Sequence, residues 1–181
     1  FLRVAEMTSP GKHMRTEIAE APAVFARTVT GAASKGVKSA LRGLNLPSLR
    51  GFYTIARGSS DAAANILSYE FMRETGKPMT SLPPSIFSVG RGVDMAGTAA
   101  LVVSQSGASE DLVRSAKGAR ATGGIVIGLV NQAGSAVAEA AHAVLPIGAG
   151  PELAVPATKS VIGSIAAGMA LLAEIEPDYA Q

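Results

Sequence analysis

No cysteine occurs among the 181 residues, and no tryptophan. Without cysteine there is no disulfide, no thiolate metal site and no thiol nucleophile, which suits a cytoplasmic chain. Aromatic residues reach only 4%, too few for a platform on which nucleic-acid bases would stack. Charge of neither sign dominates: the formal net charge is +2, and the basic residues are scattered. No nucleic-acid partner is expected from such a pattern. Apolar runs are broken by Gly, Ser or Pro well short of the ~20 residues that a membrane span needs, so no membrane partner is expected either. The opening stretch, "FLRVAEMTSPGKHMRTEI", lacks the apolar centre of a secretion signal. It begins with Phe rather than Met, as a trimmed chain or a fragment would.

What is present is core-forming. Hydrophobic residues make up 48% and charged residues 17%, a balance that folds rather than stays disordered. The length suits one domain. We expect an arm over residues 1–13 and a single domain over 14–181. Short apolar runs, "FYTIARG", "TAALVVSQ", "IVIGLVN" and "AVLPIG", read as strands, and "KPMTSLPPSIFS" as a short strand and loop broken by Pro83 and Pro84. Between them lie helical stretches, so the alternation predicts an α/β, flavodoxin-like three-layer sandwich on about five parallel strands. The strands beginning near Phe52, Ala99 and Gly124 are the most apolar and are expected at the centre. Residues 14–41 read as helical, with Pro22 as a break near the start. Ser59 or Ser60 is expected to cap the helix that ends at Gly76.

Two strand-to-helix junctions share one design. "ARGSSDAAA" places Gly58, Ser59 and Ser60 there, and "SQSGASEDL" places Ser104, Gln105, Ser106 and Ser109 there. Beyond the carboxyl ends of parallel strands, helix N-termini offer free N–H groups that favour an anion. One cap needs one hydroxyl, not three or four. The clusters therefore point to a small, anionic, hydroxyl-rich ligand, and a sugar phosphate fits. No G-x-x-x-x-G-K-[ST] and no G-x-G-x-x-G opening a helix occurs, which argues against a nucleotide, and no cofactor is expected.

These residues carry a resemblance. "RGSSDAAA", "TGKPMTSLPPSIFS", "LVVSQSGASEDL", "LPIGAGPELAVPATKS" and the leading "MRTEIAEAP" are similar to the SIS (sugar isomerase) domain family. Within it, the chain resembles the isomerase part of glutamine–fructose-6-phosphate transaminases and the glucosamine-6-phosphate deaminases. "RGSSD" is nearer the deaminase branch than the C-G-T-S usual in the transaminases. The resemblance implies a site for hexose or hexosamine 6-phosphates. It assigns Ser59 and Ser60 to a first loop and Ser104, Gln105, Ser106 and Ser109 to a phosphate loop. Val155 and Ala157 fall in a third loop, where the family often has Ser at the Ala157 position. Pro156 stands where Ala is common and removes a donor. Such enzymes carry two such units, so the chain is expected to be the first of a pair. The catalytic residues implied by the family belong to the second, leaving them unknown here.

Other candidates have plainer readings. His13 reads as solvated and His142 as a residue at a helix end; neither has a second His beside it, so no metal is expected. Glu152 reads as a brace accepting backbone N–H bonds. Lys159 is open between a phosphate contact and a structural ion pair, and Glu110 and Asp111 read as first-turn helix charges. Three functions remain open: a phosphosugar deaminase or isomerase, a non-catalytic sugar-phosphate sensor, and a single-unit or incomplete enzyme. The N-terminal helix and the Ala/Gly-rich helix near the end are expected to leave apolar surface that drives homodimer formation.

Overall fold

Strand-forming runs and helices alternate through most of the chain, and the computed structural model, which describes residues 11–32 and 34–180, shows where each falls. Two helices come first, α1 (Lys12–Ala32) and α2 (Lys35–Arg42). Next are β1 (Gly51–Ile55), α3 (Ser59–Thr75), β2 (Met79–Ser81) and the short α4 (Ser85–Ser88). They are followed by β3 (Thr98–Ser104), α5 (Glu110–Ala121), β4 (Ile125–Val130) and α6 (Ala136–Ala140). The chain then forms β5 (Ala143–Pro146) and α7 (Lys159–Ile175). Of the expected arm, residues 1–10 lie outside the described residues, while Lys12 and His13 open α1.

All five strands pair in parallel in the order β2-β1-β3-β4-β5. This is the flavodoxin-like arrangement, with the expected strands at its centre. β3 is buried along nearly its whole length, as a strand covered on both faces must be. Its alternate residues serve different layers. Ala99, Leu101 and Val103 pack with Leu67 and Phe71 of α3 and Leu171 and Leu172 of α7. Ala100 and Val102 pack with Leu112 and Ala116 of α5 and Val137 of α6. So α3 and α7 cover one face, and α5 and α6 the other. No described helix is long and apolar enough to cross a membrane.

Three expectations at the N-terminal end and around α7 need correction. Pro22 does not break the helix; α1 runs through it. Pro22 and Ile18 both face solvent, so the carbonyl that loses its partner is free to bond water. The helical stretch divides later, at Ser34, whose side chain accepts from Val37 N–H and caps α2. Finally, α7 does not expose its apolar surface: ten of its residues are buried, packed beneath α1 and α3. Gly168 lets α3 come close, since a Cβ there would lie 2.4 Å from Leu67 Cδ1. On the helices, exposed apolar side chains remain on α1, at Ile18, Phe25 and Val29, and on α3, at Ile66, Tyr69 and Met72.

Candidate functional site

In this topology the chain leaves β1 toward one sheet edge and β3 toward the other, so their carboxyl ends flank a crevice. The loop after β1 carries Arg57 and Gly58 into α3. Gly58 itself occupies the N-cap position, at φ 56, and makes no side-chain cap. The expected Ser cap is therefore corrected: Ser59 is the first helical residue, and both Ser59 and Ser60 sit half-buried inside the first turn. The Ser60 and Asp61 N–H groups donate to the carbonyls of Arg57 and Gly58. That turn is partly satisfied by its own backbone.

The loop after β3 is built differently. Ser104 ends the strand opposite Val130 and is buried. Its Oγ accepts from Gly107 N–H at 2.9 Å, and Ser106 Oγ accepts from Ala108 N–H at 3.3 Å. Both hydroxyls shape the turn as acceptors and keep their own proton to donate. Gln105 is half-buried, while Ser106 and Ser109 are exposed. Ser109 is the N-cap of α5 but makes no side-chain cap. Among the described residues, the N–H groups of Glu110, Asp111 and Leu112 find no acceptor. Gly107 is forced by geometry: its φ is +63°, and a Cβ would lie 2.1 Å from Ser135 Oγ. Glu110 and Asp111 turn to arginines, Glu110 to Arg114 at 2.5 Å and Asp111 to Arg57 at 2.7 Å.

A third loop, residues 147–158, leaves β5 at the sheet edge and is fastened mainly to α1. The buried Glu17 accepts from Leu153 N–H at 2.6 Å and Ala154 N–H at 3.0 Å. Arg27 donates to the carbonyls of Gly148 and Ala149, and Thr28 to that of Ile147. Asn131, just past β4, bonds Ala149 N–H and the Gly150 carbonyl. Val155 is nearly fully exposed, and Ala157 half-buried. Lys159 is buried and pairs with Glu20 of α1 at 2.7 Å, so the structure answers its open reading with an ion pair.

Glu152 accepts from Thr158 N–H at 2.9 Å, from Ser160 N–H at 3.1 Å and from the Ser160 hydroxyl. It thus caps α7 from a distance, and this helix start is already occupied by a carboxylate. Burial pushes its carboxyl up, but the Ser160 and Thr158 donors prevail and hold it below the usual glutamate range. A carboxyl lowered by folding stabilises the fold above its unfolded value, about 4.3. That contribution is lost as pH falls through the lowered folded value. Thermal melts from pH 6 downward should therefore show wild type losing stability more steeply than Glu152→Gln below about pH 4.3. Parallel profiles would mean that the carboxylate is not what holds the loop.

His142 is an exposed residue just past the end of α6, in keeping with the expected surface or helix-end place. It lies beyond α6, at the start of β5, and Val126 N–H donates to its Nδ1 at 2.9 Å. Burial, and then the nearby Arg120, hold it below the usual histidine range. Its place is the sheet edge, away from the crevice. Among the described residues, no three His, Asp or Glu side chains converge as a metal site would require.

Residues 50–174 match the model of the SIS domain. The chain belongs to the SIS domain family. This SIS domain is 31% identical to the glutamine–fructose-6-phosphate aminotransferase (isomerizing) of Leifsonia xyli subsp. xyli, over 85% of the chain and 26% of that protein. The Brucella abortus enzyme of the same name is 30% identical, over 92% of the chain and 28% of that protein. Among solved structures, a candidate phosphosugar isomerase from Silicibacter pomeroyi superposes with a TM-score of 0.84 at 38% identity. It covers 92% of the SIS domain chain and 51% of its own. The SIS domain chain thus spans about a quarter of those curated relatives and half of that solved chain.

Sequence reasoning missed Glu17, Arg27, Asn131 and Arg57. The first three act over 18 residues or more, so no local spacing marks them. Arg57 was visible inside "RGSSD", but its partner was not.

Proposed function

We propose that the crevice between the loops after β1 and β3 binds a hexose or hexosamine 6-phosphate, with the phosphate on the N-terminus of α5. One contrast carries this reading. Glu152 takes two N–H groups at the start of α7 and backbone carbonyls take those of Ser60 and Asp61 in α3, whereas the first turn of α5 keeps three N–H groups unmatched. Around it, Ser106 and Ser109 are exposed and Gln105 is half-buried, and Ser59 and Ser60 lie in the first turn of α3, which follows the loop after β1. Glu110 and Asp111 are held by arginines, which limits their repulsion of a phosphate. The named activities of the SIS-domain relatives support a sugar phosphate as the ligand.

On this reading the chain is the phosphosugar-holding unit of an isomerase or of a glucosamine-6-phosphate deaminase type of enzyme, working in the cytoplasm. Val155 and Ala157 belong to its third ligand loop. A homodimer is part of the proposal, formed through the Ile18, Phe25 and Val29 stripe of α1.

Titration with glucosamine 6-phosphate and fructose 6-phosphate tests the site. Ser106→Ala removes one hydrogen bond to a charged group, worth about 1.5–3 kcal/mol. Affinity should fall about ten- to hundred-fold, with the melting temperature little changed because Ser106 is exposed and its bond from Ala108 N–H is long, at 3.3 Å. Equal affinity in both proteins, or equal binding of the unphosphorylated sugars, would refute the phosphate reading.

A further inference from the structure

Arg57 does not lie along its own loop. Its Nη1 donates to Asp111 Oδ2 at 2.7 Å, which ties the loop after β1 to the first turn of α5. Since α3 and α5 cover opposite faces of the sheet, this bond crosses the crevice. As a stabiliser it is weak: the Arg57 side chain is 67% exposed, and exposed pairs contribute about 0–1 kcal/mol. Its position is the more informative feature. Asp111 is the second residue of α5, and its own N–H is among those left unmatched. The guanidinium is thus moored at the helix end where the free amides gather. Only one of its N–H groups is committed to Asp111. A depression of about 360 Å³, lined by Arg57, Ser88, Val89, Glu110, Asp111 and Arg114, leaves room around it.

Hydroxyls and amides favour an anion but carry no full charge of their own. A fixed cation gains more from two charges than from one. We propose that Arg57, moored by Asp111, is the residue that makes this site select a dianionic phosphate ester over a singly charged or neutral sugar. This deepens the proposed function and rests on it. Arg57 is the selecting group and Asp111 the positioning residue.

The test compares glucosamine 6-phosphate with glucosamine 6-sulfate, of nearly the same shape, whose ester group carries one negative charge instead of two. Wild type should prefer the phosphate. Arg57→Gln should weaken phosphate binding about tenfold and sulfate binding clearly less. Arg57→Lys, which keeps the charge, should recover most of the phosphate affinity. Asp111→Asn should lose less than Arg57→Gln, since the cation remains. The proposal is overturned if wild type binds phosphate and Arg57→Gln binds it equally well. It is also overturned if Arg57→Gln loses both ligands equally, which would make the bond only a brace. Should wild type bind neither ligand, the phosphate reading of the crevice fails first, and the role of Arg57 fails with it.

Discussion

Glu20→Ala should destabilise the protein far more than Lys159→Met, although the two residues form one ion pair. The reason is their unequal burial. The Lys159 side chain is 4% exposed and that of Glu20 43%. Removing Glu20 strands an ammonium in the interior, and breaking a buried pair from one side costs about 3–5 kcal/mol. A cavity of about 380 Å³ beside Lys159, lined also by Lys12, His13 and Leu153, can admit water. That places the cost near the low end, about 3 kcal/mol. Removing Lys159 leaves only a carboxylate that already reaches solvent, and Met fills the space of the lysine stem. Its cost should stay under about 1 kcal/mol. Urea denaturation of the two variants measures the difference. Equal losses would mean that the ammonium finds another partner and that α1 is not pinned through this pair.

Gly107→Ala should lose both stability and ligand binding. Two costs combine. An alanine held at a left-handed φ costs about 1–2 kcal/mol. Its Cβ would also meet Ser135, 2.1 Å from Oγ and 2.5 Å from Cβ, and such overpacking costs about 1–3 kcal/mol. Ser135 cannot withdraw freely, because it caps α6, and Val137 N–H bonds the Gly107 carbonyl at 3.0 Å. We expect a loss of roughly 2–5 kcal/mol and no measurable binding of a hexose 6-phosphate. A second change, Ser135→Gly, removes the obstructing side chain but not the backbone strain. The double variant should recover part of the loss, a coupling that a thermodynamic cycle reads directly. Simple additivity would show that the collision is relieved by movement elsewhere.

The sheet was legible because four of its five strands are short apolar runs, and the alternation with helices dictates parallel pairing. "SQSGASEDL" was legible as a ligand loop because its hydroxyls exceed what one cap requires. Other features depended on which way a side chain faces. Pro22 looks like a helix breaker until Ile18 and Pro22 are seen to share the solvent side. Ser59 and Ser60 look like caps, but Gly58 takes that position with a backbone angle that only glycine adopts easily. Short α4 follows Pro83 and Pro84, in a stretch whose sequence reads as strand and loop. Glu17 had no local signature at all: its acceptor role is defined by Leu153 and Ala154, far along the chain.

That distance has a consequence in time. Glu20 and Lys159 are 139 residues apart. At about 5–20 residues per second, a ribosome needs roughly 7 to 28 s to pass from one to the other. Through that interval α1 exists without the helix it will cover, and Glu17 waits for the backbone it will hold. A nascent chain arrested just before Lys159 should therefore have β1 to β5 made and α1 undocked. Residues 147–158 would set last, after every strand beneath them.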